Sequence, residues 1–159
     1  MSFLEKDLEN LLLEANDELL DERGLCTELG VNKRNQVYLG NYGTCDIIGW
    51  RRWSEDVYGK IYQGLDITIV ELKKDLIDID AILQVIRYTK GVEQYLKKRK
   101  IKDRYKIKPV LIGKRVDLET NACYLFDYIK NLDVYTYKYE INGIYFKEAK
   151  GFKLINNGF

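Results

Sequence analysis

The sequence predicts an α/β fold, a sheet containing a parallel strand pair with helices packed on it. Three observations support this. The apolar, β-branched run from Leu65 to Leu72 is followed by a helical pattern from Ile79 to about Lys98, and then by a second strand, Tyr105 to Ile112. Strand, helix, strand in that order is a crossover, which joins parallel neighbours. An amphipathic segment opens the chain, and hairpin signals stand on both sides of the crossover.

The opening segment, from about Ser2 to Glu22, reads as one helix. Ser2 and Glu5 have capping-box spacing, Leu4, Leu8, Leu11, Leu12, Ala15 and Leu19 form an apolar stripe, and Gly24 is a stop signal. Glu5 and Glu9 lie one turn apart beside that stripe, where a solvated acidic face is the simplest reading. Between Asn35 and Arg52, Gln36–Leu39 and Thr44–Trp50 read as two strands around the turn-rich Gly40-Asn41-Tyr42-Gly43. Asp46 interrupts the second strand, as a structural residue near a turn or as a functional one.

Arg51 to Gln63 reads as a basic, aromatic loop or hairpin tip. Arg51, Arg52 and Lys60, with Trp53 and Tyr58, suit phosphate contact and base stacking, and equally a loop packing its own Trp. After the crossover helix, Lys97, Lys98, Arg99 and Lys100 begin a strongly basic connection that runs to Lys108, either a solvated loop or a phosphate grip. Pro109 in the following strand argues for an edge, a bulge or a weak point. A helix from Glu119 to Asn131, a hairpin of Val134–Ile141 and Ile144–Glu148 around Asn142-Gly143, and a tail from Gly151 complete the reading.

The bulk properties narrow the chemistry. At 159 residues with no linker, repeat or low-complexity segment, the chain reads as one domain, 1–159. Its net charge of +1 leaves no basic field over the whole molecule, so any nucleic-acid binding must be local. No run of about 18 apolar residues suggests a membrane span, and the acidic N-terminus does not resemble a secretory signal. Cys26, Cys45 and Cys123 are odd in number and widely spaced, as expected for free thiols in a reducing cytoplasm. Histidine is absent, which excludes Ser-His-Asp and Cys-His catalysis and His-ligated zinc. Chemistry must run on carboxylates, lysine, tyrosine or a hard metal.

Such groups stand at the end of the central strand. In Ile67-Thr68-Ile69-Val70-Glu71-Leu72-Lys73-Lys74 the carboxylate of Glu71 and the ammonium of Lys73 face the same way, and Leu72 faces the opposite layer. Charges at the end of an apolar strand need a reason, because ions are rarely buried without one. Asp46 on the neighbouring strand and Gln84 on the following helix supply partners.

Glu5 in the first helix, Gly43-Thr44-Cys45-Asp46-Ile47-Ile48-Gly49, Val70-Glu71-Leu72-Lys73 and Gln84-Val85-Ile86-Arg87-Tyr88 occur in an order that resembles the PD-(D/E)XK nuclease superfamily. Within it, the nuclease domain of NucS-like endonucleases is the nearest likeness. The resemblance covers most of the chain. It implies a restriction-endonuclease-like α-β-β-β-α-β core with a mixed central sheet flanked by helices, plus a C-terminal helix and β-hairpin. Cys45 stands where the naming proline would be, the long segment from Asp46 to Glu71 suggests an enlarged hairpin carrying Arg51 to Tyr62, and a second domain is not expected within these residues. These departures leave the substrate open.

The resemblance also implies roles. Asp46, Glu71 and the backbone carbonyl of Leu72 would bind Mg2+ or Mn2+, which take oxygen ligands. Lys73 would orient the attacking water and stabilise phosphorane-like charge, and Gln84 would orient water or phosphate. Glu5 would serve a second metal or its water, with Glu9 in reserve. The expected function is a metal-dependent endonuclease hydrolysing DNA phosphodiester bonds in a phage, mobile-element, restriction or repair context. A homodimer would allow cutting of both strands. The competing readings are a catalytically silent nucleic-acid- or protein-binding module on the same fold, an RNase using the same site, and a purely structural salt-bridged cluster.

Overall fold

A computed structural model of the chain describes residues 3–119 and 122–150. Ser2 of the expected capping box and the tail from Gly151 lie outside the described residues. The N-terminal segment is two helices rather than one, α1 (Phe3–Glu14) and α2 (Asp17–Glu22). Asn16 causes the break. Its side-chain oxygen accepts from the Leu19 N–H at 2.8 Å, capping α2 in place of a continuing helix. Gly24, at φ +91°, ends α2 as expected, its N–H donating to Asp21 and that of Leu25 to Leu20.

Strands β1 (Asn32–Tyr38), β2 (Thr44–Val57) and β3 (Lys60–Leu72) form an antiparallel meander. Of the two readings of Arg51 to Gln63, loop or hairpin tip, the second holds: the segment is the far end of the long β2–β3 hairpin. β2 runs on to Val57 and turns within Tyr58-Gly59, whose residues both have positive φ, as a tight hairpin turn requires. Strand β5 (Arg104–Gly113) joins β3 in parallel after helix α3 (Ile79–Lys98), the expected crossover. Asp78 caps α3 by accepting from the Ala81 N–H at 2.9 Å. β5 pairs on its other side with β7 (Asp133–Glu140), again in parallel, and β7 pairs antiparallel with β8 (Gly143–Glu148). The sheet order is β1-β2-β3-β5-β7-β8, so the six-stranded sheet is mixed.

Two details were not legible in the sequence. Short strands β4 (Leu76–Ile77) and β6 (Arg115–Val116) pair in parallel as a separate clip. Helix α4 spans Ala122–Tyr128, shorter than the Glu119–Asn131 expected. Pro109 pairs with Ile69, and β7 joins β5 only from Val110, so the proline sits where one side of β5 is still an edge.

The sheet divides the interior into two layers. On one face α3 and α4 contribute Ala81, Val85, Val92 and Phe126, which cluster with Ile69 and Leu111. On the other, Leu8 and Leu12 of α1 pack with Val70, Leu72, Val110 and Tyr135. The alternation expected along β3 is present, with Ile69 facing α3 and Leu72 facing α1. All three cysteines are free thiols. Among the described residues, no helix is long and apolar enough to cross a membrane.

Candidate active site

Strands β2 and β3 are paired from Val57↔Lys60 as far as Ile47↔Val70. One residue further, Asp46 stands opposite Glu71, and its side chain takes over the bonding: Oδ2 accepts from the Leu72 N–H at 2.7 Å. The carboxylate of Asp46 thus fills the gap where the ladder ends. Its Oδ1 accepts a longer bond, 3.3 Å, from Nε2 of Gln36. Gln36 sits on β1 at φ +48°, an unusual conformation for a residue with a side chain.

Glu71 and Lys73 do share a face, and α3 covers it. Lys73 Nζ donates to Glu71 Oε1 at 3.1 Å and to Gln84 Oε1 at 2.6 Å. Gln84 Nε2 in turn donates to the Tyr88 hydroxyl at 2.7 Å. Gln84 and Tyr88 are one helical turn apart, so α3 presents both to the end of β3. The Gln84 amide is held at both ends, and this fixes its orientation.

Glu71 is only 4% exposed, and its Oε2 has no hydrogen-bond partner. Burial and the neighbouring Asp46 charge push its carboxyl up to about 7, against the pull of Lys73. Asp46 is also raised, by burial, with the Leu72 N–H as the main offset. Two buried carboxyls side by side hold both negative charges at a cost, which an added cation would relieve. Cys45, buried beside them, has its thiol pushed far up by burial and by both carboxylates, which leaves it unreactive.

Four of the five expected catalytic residues, Asp46, Glu71, Lys73 and Gln84, therefore meet at one place. Leu72 contributes its N–H to Asp46 and buries its side chain in the opposite layer. Glu5 lies on α1, across the sheet, where its charge is felt by Tyr137; the Tyr137 hydroxyl donates to the Lys74 carbonyl at 2.9 Å. Glu9 is 5% exposed, with Oε1 unpartnered. Among the described residues, no group of three or more His, Cys, Asp or Glu side chains is placed to hold a metal ion. Asp46 and Glu71 are a pair, which is the number of carboxylates a Mg2+ site commonly uses.

The expected nucleic-acid contacts differ in kind. Arg51 is ion-paired with Glu28 at 2.9 Å and Asp66 at 3.2 Å, and Arg52 with Asp103. Lys60 is exposed at the hairpin turn, and Lys97, Lys98, Arg99 and Lys100 are exposed at the end of α3. Sequence reasoning missed Gln36, whose approach to Asp46 depends on the β1–β2 register of Asn35↔Ile47 and Val37↔Cys45, for which the sequence carries no local signal. Comparison with protein-family models, curated proteins and solved structures returns no match.

Proposed function

We propose that this protein is a metal-dependent endonuclease of the PD-(D/E)XK type acting on DNA. The observation that carries this reading is the meeting of Asp46, Glu71, Lys73 and Gln84 at the open end of β2 and β3, with Glu71 Oε2 buried and unpartnered. The order α1, β1, β2, β3, α3, β5 supports a restriction-endonuclease-like core.

The donor set fits a hard divalent cation: two carboxylates, one with an orphaned oxygen, beside an ammonium that cannot ligate and a deeply buried, protonated thiol. Asp46 and Glu71 would hold Mg2+ or Mn2+. When bound, the cation neutralises charge on the scissile phosphate and makes water nucleophilic near neutral pH. Lys73 presents its ammonium where negative charge grows on the phosphate and where an attacking water must sit. Gln84 shares the Lys73 ammonium with Glu71, and Tyr88 holds the other end of the Gln84 amide. The attacking water would lose its proton to solvent, and the leaving oxygen, on the opposite side of the phosphorus, would take one from solvent. We read this as cytoplasmic chemistry, consistent with the free thiols.

Circular single- and double-stranded DNA incubated with Mg2+ or Mn2+ tests the proposal. Nicked or linear product is expected, reduced by about 10²–10⁴ in Asp46→Ala and Lys73→Ala. Undiminished product in Asp46→Ala would sink the site assignment. Binding without cleavage in either metal would favour a silent module, and cleavage of RNA alone would make it an RNase.

A further inference from the structure

The outer face of α3 joins the proposed site to the basic connection that follows it. Arg87, Lys90, Gln94, Lys97 and Lys98 recur at three- and four-residue intervals and are all exposed. They lie away from Ala81, Val85, Val92 and Leu96, which enter the core. The stripe begins beside the site. The Arg87 guanidinium lies 5.8 Å from the ring centre of Tyr88, the residue that holds Gln84. It ends in Arg99, Lys100, Lys102, Arg104 and Lys106. Segment 87–108 carries ten basic and two acidic residues, so the rest of the chain is net −7. The acid within the helical part, Glu93, pairs with Lys90 at 3.2 Å in an exposed contact of little energy that a phosphate can displace. None of Lys97, Lys98 and Lys100 has a carboxylate partner among the described residues. Arg51, by contrast, is shared between two carboxylates, Glu28 and Asp66.

Resting on the nuclease reading for its direction, we infer that duplex nucleic acid lies along α3, one backbone following Arg87, Lys90, Lys97 and Lys98 away from the site. From Arg87 to Lys98 the helix rises about 16 Å, roughly five base pairs of duplex. The substrate therefore needs about that much double-stranded flank on one side of the cleaved bond. Along the helical part of the stripe Tyr88 is buried and the exposed ring, Tyr95, is engaged by Arg99 at 5.4 Å, so this row of cations suits a duplex backbone better than a single strand, which wants free stacking platforms.

Fluorescence anisotropy of a labelled 20-base-pair duplex in EDTA, titrated across KCl concentrations, tests this without cleavage. The variant Lys90→Gln/Lys97→Gln/Lys98→Gln should lower the slope of log affinity against log salt by about 2–3. Arg51→Gln should leave the slope unchanged. An unchanged slope in the triple variant, with its melting temperature also unchanged, overturns the track, as does an equal effect of Arg51→Gln. Equal or tighter binding of a single strand through the same lysines overturns the duplex assignment. If the wild type cuts plasmid while the stripe variants bind normally, the track fails and the nuclease reading stands. If the stripe binds duplex and no metal supports cleavage, the nuclease reading fails and the track stands.

Discussion

Glu71 is the residue on which most of the proposed chemistry turns. An exposed glutamate titrates near 4.3, and here burial and Asp46 raise it to about 7. The folded state therefore binds this proton more tightly than the unfolded state. The resulting stabilisation is complete below about pH 4 and is lost as pH rises through about 7. Asp46 is shifted in the same direction. Metal-free protein should accordingly lose thermal stability between pH 5.5 and 8, and Glu71→Gln should flatten that slope. Matching melting profiles for wild type and variant would contradict the burial argument. The Lys73–Gln84–Tyr88 chain separates roles by magnitude. Tyr88→Phe removes one neutral hydrogen bond, worth about 1 kcal/mol, so cleavage should slow less than tenfold. Lys73→Ala removes the charge itself and should cost about 10²–10⁴. Single-turnover rates distinguish the two.

At the scale of elements, the site exists because β2 and β3 stop pairing at Ile47↔Val70 while α3 crosses above the opening. Gly49, next along β2, lets the chain at Leu29 lie against the sheet: a Cβ there would sit 1.8 Å from the Leu29 carbonyl oxygen. Gly49→Ala should destabilise by about 1–3 kcal/mol, measured by urea denaturation. A neutral result would mean that the 26–30 segment is not held as described. At the other end of the same strands, residues 51–63 run past Asn32 of β1 and Arg104 of β5 as a two-stranded ribbon. Two strands alone are marginally stable, so amides of residues 54–61 should exchange with deuterium well before those of 66–72. Strand β3 was legible in the sequence because its β-branched run is long and the helix after it is strongly amphipathic. The ribbon was legible only as one of two choices, loop or hairpin tip, because its polar residues, Ser54, Glu55 and Asp56, resemble a loop and only cross-strand pairing makes them strand. The break at Asn16 was hidden because leucines continue on both sides of it. Glu71 and Lys73 were legible as sharing a face from strand periodicity, and Gln84 joined them through the motif order that resembles the nuclease superfamily. Gln36 depends on register between segments and left no such trace.

Over the whole molecule, a near-neutral net charge conceals a division of labour. The proposed chemistry sits at the C-terminal end of β3 and the first turns of α3, and the basic cluster sits at the far end of that helix. The remainder of the chain is net acidic, so on the proposed reading a polyanion is drawn to the α3 side. The proposed chemistry at the head of this arrangement requires a cation on the pair of carboxyls. The most direct measurement is therefore a crystal structure of the protein soaked in Mn2+, read by anomalous scattering. The expected result is a peak between Asp46 and Glu71, with oxygens of both at about 2.0–2.2 Å and the peak lost in Glu71→Gln. A map without Mn2+ at saturating concentration, with Glu71 still bonded only to Lys73 and Asp46 to Leu72, would contradict the proposed function at its centre.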